Sequence, residues 1–204
     1  ALKNLEILNL GSNSITNGDF LTGLPALKVL NLSNNPSLTL PDTFQAATNL
    51  ESLTLDGMPI PETFFENLSA TNLTSLSLKQ SDVTSWNSLW KLKAIKKLYL
   101  TGMAAKSFLT SLGNHSFADE LRSLEILHFN SADLKTLELI SGMDNLVELR
   151  VENNQIDDLS TLQGLPKLER LSLSGNRLEK ISSVQFPDHL TEIDLSSNRL
   201  SALP

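Results

Sequence analysis

The stretch that decides the fold is Leu146-Val147-Glu148-Leu149-Arg150-Val151-Glu152-Asn153-Asn154-Gln155-Ile156, which has the form L-x-x-L-x-V-x-x-N-x-I. The same form returns 22 residues later at Leu168 to Leu178, and again at Leu190 to Leu200. We take the second apolar position of each copy as its anchor. The anchors are Leu8, Leu30, Leu53, Leu76, Leu98, Leu127, Leu149, Leu171 and Ile193. Subtracting neighbouring anchors gives steps of 22, 23, 23, 22, 29, 22, 22 and 22 residues, so one unit repeats through essentially the whole chain.

Each unit is predicted to begin with a short strand. Around an anchor, as in Leu171-Ser172-Leu173, apolar and polar residues alternate, which places the leucines on one face and the intervening residues on the other. The segments between strands are typical of short helical or 3-10 turns, and many end at Gly or Pro. Strands that stack one per repeat form a parallel sheet with one face open to solvent.

The repeated pattern resembles the leucine-rich repeat, whose signature is L-x-x-L-x-L-x-x-N/C-x-L with a period of 20–29 residues. The resemblance implies an α/β leucine-rich-repeat solenoid. Such a fold is a curved horseshoe with a parallel β-sheet on the concave face and short helical, 3-10 or loop returns on the convex face. We expect residues 1–204 to form a single leucine-rich-repeat domain of nine repeats. Because the chain begins and ends within a repeat, we also expect it to be a piece of a longer protein.

Composition and motifs argue against several functions. The net charge of -7 and the absence of cysteine disfavour general nucleic-acid binding and exclude disulfides and thiol chemistry. His115, His128 and His189 fall at different places in the repeat, and no catalytic motif occurs. Asp157-Asp158 suits the start of a return segment better than a metal site. We therefore expect no enzyme, no cofactor, no nucleic-acid partner and no membrane insertion within this segment; the sequence does not indicate an oligomeric state.

Asparagine recurs five residues after the anchor, where its amide can bond to backbone groups that the turn leaves unpaired. These residues, which we interpret as a structural ladder, are Asn13, Asn35, Asn154, Asn176 and Asn198. The four central repeats carry Met58, Ser81, Met103 and Ala132 instead. We expect the centre of the chain to turn differently and its backbone groups to find other partners.

The long step between Leu98 and Leu127 contains an insertion. Residues 106–113 are predicted to form a helix with Phe108, Leu109 and Leu112 on one side, and residues 115–120 a loop. Insertions in repeat arrays often line a binding face, so the segment from Phe108 to Phe117 is a candidate side wall. The alternative is a surface bulge.

The return segment at residues 86–93 holds both tryptophans of the chain. Ser85 can cap it, and Trp86, Leu89 and Trp90 have helical spacing, which favours packing for at least one tryptophan. A basic cluster follows, interpreted as a solvated face. Its members are Lys91, Lys93, Lys96 and Lys97.

The outward strand positions are where we place the function. Tyr and Arg are enriched in interface hot spots, so the middle strands predict that a protein or peptide partner binds the concave sheet face. We call the residues there the central patch: Lys79, Lys97, Tyr99, His128, Glu148, Arg150, Glu152 and Arg170. The alternatives are an ordinary solvated sheet face and binding by the convex side.

Two cellular locations stay open. Residues 40–44 and 60–64 resemble the L-P-x-x-x-F element of repeats found mostly in secreted and cell-surface proteins, which favours a receptor-like or secreted protein. The 22-residue steps and Ile156-Asp157-Asp158-Leu159 are similar to repeats of cytosolic phosphatase-regulator-like proteins, which favours an intracellular scaffold. We favour the first interpretation.

Overall fold

The computed structural model describes residues 2–40, 48–68, 72–113 and 117–202 of the chain. Over these residues the chain forms eleven strands and three α-helices. The strands are β1 Ile7–Asn9, β2 Val29–Asn31, β3 Ser52–Thr54, β4 Pro59–Ile60, β5 Ser75–Lys79, β6 Asp82–Val83, β7 Lys97–Thr101, β8 Ile126–Asn130, β9 Glu148–Arg150, β10 Arg170–Ser172 and β11 Glu192–Asp194. The helices are α1 Phe64–Asn67, α2 Met103–Ser111 and α3 Phe117–Glu120. The predicted α/β leucine-rich-repeat solenoid is confirmed.

Nine of the strands form one parallel sheet in the order β1-β2-β3-β5-β7-β8-β9-β10-β11. Its register is the one that the anchors predict: Leu8 pairs with Leu30, Leu30 with Leu53, and so on to Leu171 with Ile193. The anchors from Leu30 to Leu149 are fully buried. Burying a leucine contributes about 1.5–3 kcal/mol, so the stacked anchors hold the strands in this register.

The turn after each strand has a positive φ at the same position in all nine repeats. The residue four positions after the anchor has a left-handed backbone, with φ between +54° and +71°. These residues are Ser12, Asn34, Gly57, Gln80, Gly102, Ser131, Asn153, Gly175 and Ser197. The expectation that the centre turns differently is wrong for the sign of φ. It holds at Gly102 in a central repeat, where ψ is -123° and the backbone lies outside the left-handed helical region. A further difference comes after the turn, where β4 pairs with β6 in a second parallel ladder and where α2 replaces the extended return.

The five asparagines bond in the manner expected of a ladder. Asn176, a buried example, donates from Nδ2 to the carbonyls of Val151 and Leu173, both at 2.9 Å, and accepts the Ile156 N–H at 3.0 Å. Asn154 does the same, and its Oδ1 also accepts the N–H of Ala132, at 2.9 Å. Four of the asparagines thus join two repeats, whereas Asn13 in the first repeat bonds only to Leu10 and Gly11 of its own repeat. Asn154 serves a repeat that lacks an asparagine of its own. Ser81 is a shorter substitute, donating to the Leu55 carbonyl at 2.8 Å.

The insertion widens the core instead of forming an outer wall. Helix α2 begins three residues earlier than predicted, and the predicted loop contains α3; residues 114–116, including His115, lie outside the described residues. Phe108 and Phe117 are fully buried, with ring centroids 5.3 Å apart, and Phe129 from β8 lies within 6.1 Å of both. The side-wall expectation is wrong for these two phenylalanines, because their apolar rings are more stable in the core than beside solvent.

The tryptophan segment packs against the same aromatic cluster. Its 3-10 helix, Leu89–Lys91, is shorter than predicted, and Ser85 receives only a long hydrogen bond from the Asn87 N–H, at 3.4 Å. Trp86 is buried as expected: its ring lies 4.9 Å from Phe108, and its Nε1 donates to Ser107 Oγ.

The basic cluster is partly neutralised. Lys93 pairs with Glu120 at 2.7 Å, and Lys96 pairs with Glu125 at 2.8 Å. Pairing with the insertion and the following segment explains two of the four lysines without any ligand.

Of the two L-P-x-x-x-F elements, residues 41–44 of the first lie outside the described residues. In the second, Ile60 ends β4 and Phe64 begins α1, and both side chains are buried.

Candidate functional site

The open face of the sheet consists of the strand side chains that point away from the leucine core. Parallel sheets are usually covered on both faces, so an open face of this length is a distinctive feature. Register places Tyr99 beside His128 and His128 beside Arg150, while Glu148 lies beside Arg170. Adjacent strands are about 4.8 Å apart, so these side chains touch across the strands.

One end of the central patch is built on an aromatic pair. The ring centroids of Tyr99 and His128 lie 4.7 Å apart with their planes at 88°, an edge-to-face contact. Lys79 Nζ lies 5.2 Å from the centroid of the Tyr99 ring, within the range of a cation–π interaction. Burial raises the pKa of Tyr99, and the negative charge of Glu148 adds to this effect, so the phenol stays protonated at neutral pH.

Glu148 joins side chains from three strands. Its Oε1 lies 2.8 Å from His128 Nε2 and accepts Arg150 Nε at 2.9 Å, while its Oε2 accepts Arg170 Nε at 3.0 Å. Only 13% of the Glu148 side chain is exposed, against 42% for Arg150 and 36% for Arg170. The carboxylate is therefore an internal support, and the two guanidinium groups are the parts that solvent or a partner reaches.

The electrostatics favour a charged Glu148 next to a neutral His128. Burial opposes the charged carboxylate, but the hydrogen bonds from His128, Arg150 and Arg170 outweigh it and lower the pKa of Glu148 to about 2. Burial also lowers the pKa of His128, more than the Glu148 hydrogen bond raises it. At neutral pH the imidazole is neutral, and its Nε2–H donates to the carboxylate.

The remaining patch residues are held less tightly. Glu152 lies 3.7 Å from Arg150 Nη1 and is fixed by Asn130, which donates to its carboxylate at 3.2 Å and accepts its backbone N–H at 2.9 Å. Lys97 is exposed, and its register neighbours are Ser75 and Ile126. The structure thus joins seven of the eight patch residues through side-chain contacts and places Lys97 at their margin.

A small cavity of about 50 Å³ opens beside the patch, between β9, β10 and β11. Its lining includes Arg150 and Arg170 and adds Ser172, Glu192 and Asp194, which occupy outward strand positions outside the central patch. They were missed because their residue types are common on solvated surfaces. The arrangement of these three residues depends on the way neighbouring strands stack.

The described residues contain no group of three or more His, Asp and Glu side chains that could hold a metal ion. Asp158 instead accepts the backbone N–H and the hydroxyl of Ser160 at the start of a 3-10 helix, and these bonds lower its pKa. None of the described helices combines the length and the apolar character needed to cross a membrane.

Sequence comparison identifies two segments. Family models described as "Leucine Rich repeats (2 copies)" and "Leucine rich repeat" match residues 3–45 and 157–200. No curated protein sequence matches the chain.

Solved structures with the same architecture come from several sources. Internalin C2 of Listeria monocytogenes is 21% identical, with a TM-score of 0.69, over 92% of this chain and 79% of that one. The complex of TLR13 with ssRNA13 aligns at 24% identity and a TM-score of 0.66 over 93% of this chain. The plant peptide hormone receptor RGFR1 in complex with RGF2 aligns at 24% identity and 0.63 over 98%. The chain spans only 28% of the TLR13 chain and 33% of the receptor chain, and these similarities show the fold.

Proposed function

We propose that this chain, which has the leucine-rich-repeat fold and two segments that match leucine-rich-repeat models, is a non-catalytic recognition domain that binds a protein or peptide partner on the open face of its sheet, at the central patch. The observation that carries the proposal is the support of two partly exposed arginines by one carboxylate that is largely shielded from solvent. Glu148 accepts hydrogen bonds from the Nε atoms of both Arg150 and Arg170. Their Nη groups form only longer ion pairs, at 3.7 Å between Arg150 and Glu152 and at 3.4 Å between Arg170 and Glu169.

The arrangement lowers the cost of binding. An arginine that a partner immobilises loses side-chain entropy of about 0.5–1.5 kcal/mol. Here Glu148 has already restricted Arg150 and Arg170, and the packing of Tyr99 against His128 has restricted the aromatic pair. The patch therefore offers donors and aromatic surface that need little further ordering, which is the composition of interface hot spots.

A protein or peptide suits this face better than a nucleic acid does. The chain carries a net charge of -7, and the patch places Glu148 and Glu152 beside its arginines, so a phosphate backbone would meet carboxylates as well as cations. Among the similar structures, the plant receptor is in complex with RGF2 and TLR13 is in complex with ssRNA13, so single-stranded RNA is the rival to include in the test.

The test uses the folded chain as bait, in parallel with the variants Tyr99→Ala and Arg150→Glu. Proteins retained by the wild type are purified, and their dissociation constants are measured against each bait. We expect each substitution to weaken the true partner by at least about tenfold, since hot-spot truncations cost about 2 kcal/mol or more. Lys180→Glu is the matched control, because Lys180 is exposed and lies outside the sheet.

Binding that is unchanged by both substitutions, in variants whose circular dichroism matches the wild type, contradicts the proposal. A single-stranded RNA of mixed sequence is titrated under the same conditions. RNA binding that is as tight as partner binding and is lost in Arg150→Glu would replace the protein proposal by the RNA one.

We also propose that the domain belongs to a cell-surface or secreted protein, with an intracellular phosphatase-regulator-like scaffold as the alternative. The segment Ile60-Pro61-Glu62-Thr63-Phe64, which resembles the L-P-x-x-x-F element, supports the first choice. Antibody labelling of the natural protein on intact cells distinguishes them: labelling before permeabilisation supports the first choice, and labelling only afterwards supports the second.

A further inference from the structure

The cavity between β9, β10 and β11 contains a buried hydroxyl without a partner. Ser172 is 7% exposed, and its Oγ is the one buried side-chain polar atom without a hydrogen bond among the described residues. Ser172 lies on the open face between Arg150 and Asp194 in the register, and it lines the cavity of about 50 Å³. A buried hydroxyl without a hydrogen bond lowers stability, and a ligand that bonds to it removes that cost. The cavity beside Ser172 is therefore a candidate ligand site.

The charges around the cavity decide which ligand fits. Five charged side chains line it: Glu148, Arg150, Arg170, Glu192 and Asp194. Two positive and three negative groups give a net charge of -1. Both arginines donate Nε to Glu148, whereas neither carboxylate of β11 has an ion pair within 4 Å among the described residues. Both β11 carboxylates interact with Arg150 only at longer range. An anion would add to the net charge of -1, whereas one cation would bring it to zero.

The size of the cavity restricts the cation to a small head group. A cavity needs a volume of at least about 10–15 Å³ to hold a single water, so the volume of about 50 Å³ accommodates an ammonium group and the methylene next to it. A lysine-type ammonium carries three N–H donors. Glu192, Asp194 and the Ser172 hydroxyl supply three acceptors.

We propose that this cavity is a subsite that takes the ammonium group of a lysine side chain from the bound partner. The proposal rests on the proposed function, because it names the chemistry that one part of the same surface recognises. Ser172 Oγ accepts one N–H of the ammonium, and the carboxylates of Glu192 and Asp194 accept the others. Arg150 and Arg170 line the same cavity, beside Ser172 and Glu192 in the register, and repel a second cation once one ammonium is bound, so the subsite holds one.

The probe is the peptide acetyl-Gly-Ser-Lys-Ser-Gly-amide, titrated into isotope-labelled protein at low salt and followed by backbone amide NMR. Its twin carries norleucine in place of lysine, which keeps the aliphatic chain and removes the ammonium. We expect saturable shifts confined to β9, β10 and β11 with a dissociation constant in the millimolar range for the lysine peptide. The norleucine peptide should cause no saturable shift.

Two variants test the acceptors. Ser172→Ala should weaken the lysine peptide by about fivefold while leaving the protein equally or more stable, since it removes an unsatisfied hydroxyl. Glu192→Gln combined with Asp194→Asn should weaken it by at least about tenfold. Asn at position 194 preserves the fold because Asp194 Oδ1 accepts the Ser196 N–H, a bond that Asn9 and Asn31 make at the equivalent positions. Glu179→Gln, exposed and remote from the cavity, is the matched control.

Three results would overturn the proposal: equal shifts with the norleucine peptide, lysine shifts spread over the surface, or binding that survives both variants. A fourth result, a Ser172→Ala protein that is more stable but binds the lysine peptide unchanged, would also overturn it, because the ammonium would then lie outside the cavity. The outcome is separable from that of the proposed function. If partner binding requires Tyr99 and Arg150 but not Glu192 and Asp194, the subsite proposal fails and the proposed function stands. If the lysine peptide binds but no partner uses this face, the proposed function fails and the ammonium site stands.

Discussion

Replacing Glu148 by glutamine tests the support on which the central patch depends. Gln keeps the shape of the side chain and one carbonyl oxygen but removes the charge that holds His128, Arg150 and Arg170 at 2.8, 2.9 and 3.0 Å. The pKa of Glu148 is lowered from 4.5 to about 2, and each unit corresponds to about 1.4 kcal/mol, so about 3 kcal/mol is the upper limit for the charge. Arg150 and Arg170 are more than a third exposed, and solvent screening reduces the expected loss to about 1–2 kcal/mol at pH 7.

The dependence on pH identifies the cause of that loss. The folded-state pKa of Glu148 is depressed, so its contribution is fully present above the unfolded value of 4.5 and is lost as the pH falls through about 2. Urea unfolding of the wild type and Glu148→Gln should therefore differ by the full amount at pH 7 and by less than half of it at about pH 3.

The matched control is Glu169→Gln, which removes an exposed carboxylate 3.4 Å from Arg170. An exposed ion pair contributes little, so its effect should stay within about 0.5 kcal/mol. A Glu148→Gln protein as stable as the wild type at pH 7, or a loss of equal size at pH 7 and pH 3, would refute the reasoning. In the first case the carboxylate does not support the patch, and in the second its charge is not the reason.

Three further predictions concern the repeat architecture. Asn176→Ala should lower the free energy of unfolding by about 2–3 kcal/mol, because it leaves buried carbonyls of two repeats without a hydrogen-bond donor. Asn13→Ala, in the exposed first repeat, should lower it by less than half as much. Urea unfolding of both variants gives the ratio. Phe108→Ala should cost about 3–5 kcal/mol by emptying the aromatic cluster, and the partly buried Leu109→Ala should cost clearly less, so equal losses in thermal unfolding would contradict the packing. The turns of the central repeats, from residue 58 to 132, should exchange amide hydrogens faster than those after β9, β10 and β11, because they lack ladder asparagines; uniform protection would count against this.

The repeat pattern alone predicts the strand register and the leucine core. The reason is that each repeat of a solenoid packs only against its neighbours, so apolar spacing within about 22 residues specifies the contacts of the whole array. Leu30 meets Leu53 because both occupy the same place in the unit, and no long-range pairing has to be guessed. The positions of the open-face residues follow from the same spacing, which is why Tyr99, His128 and Arg150 could be named together.

What the tertiary structure decided depends on contacts between side chains of different types. The presence of Met58 or Asn154 after the turn does not predict the sign of φ at the preceding residue, which is positive at both Gly57 and Asn153. The flanking strands impose this conformation on both repeats. The repeat pattern predicts a loop at Phe117 because the strand against which Phe117 packs, β8, belongs to the next repeat. Glu148 is the centre of the patch because donors from β8, β9 and β10 converge on it, and the burial of the Ser172 hydroxyl without a partner is likewise a property of the stacked strands. Periodicity within one unit determines where a side chain lies on the sheet, whereas its charge state and its partners depend on the residues that occupy the adjacent repeats.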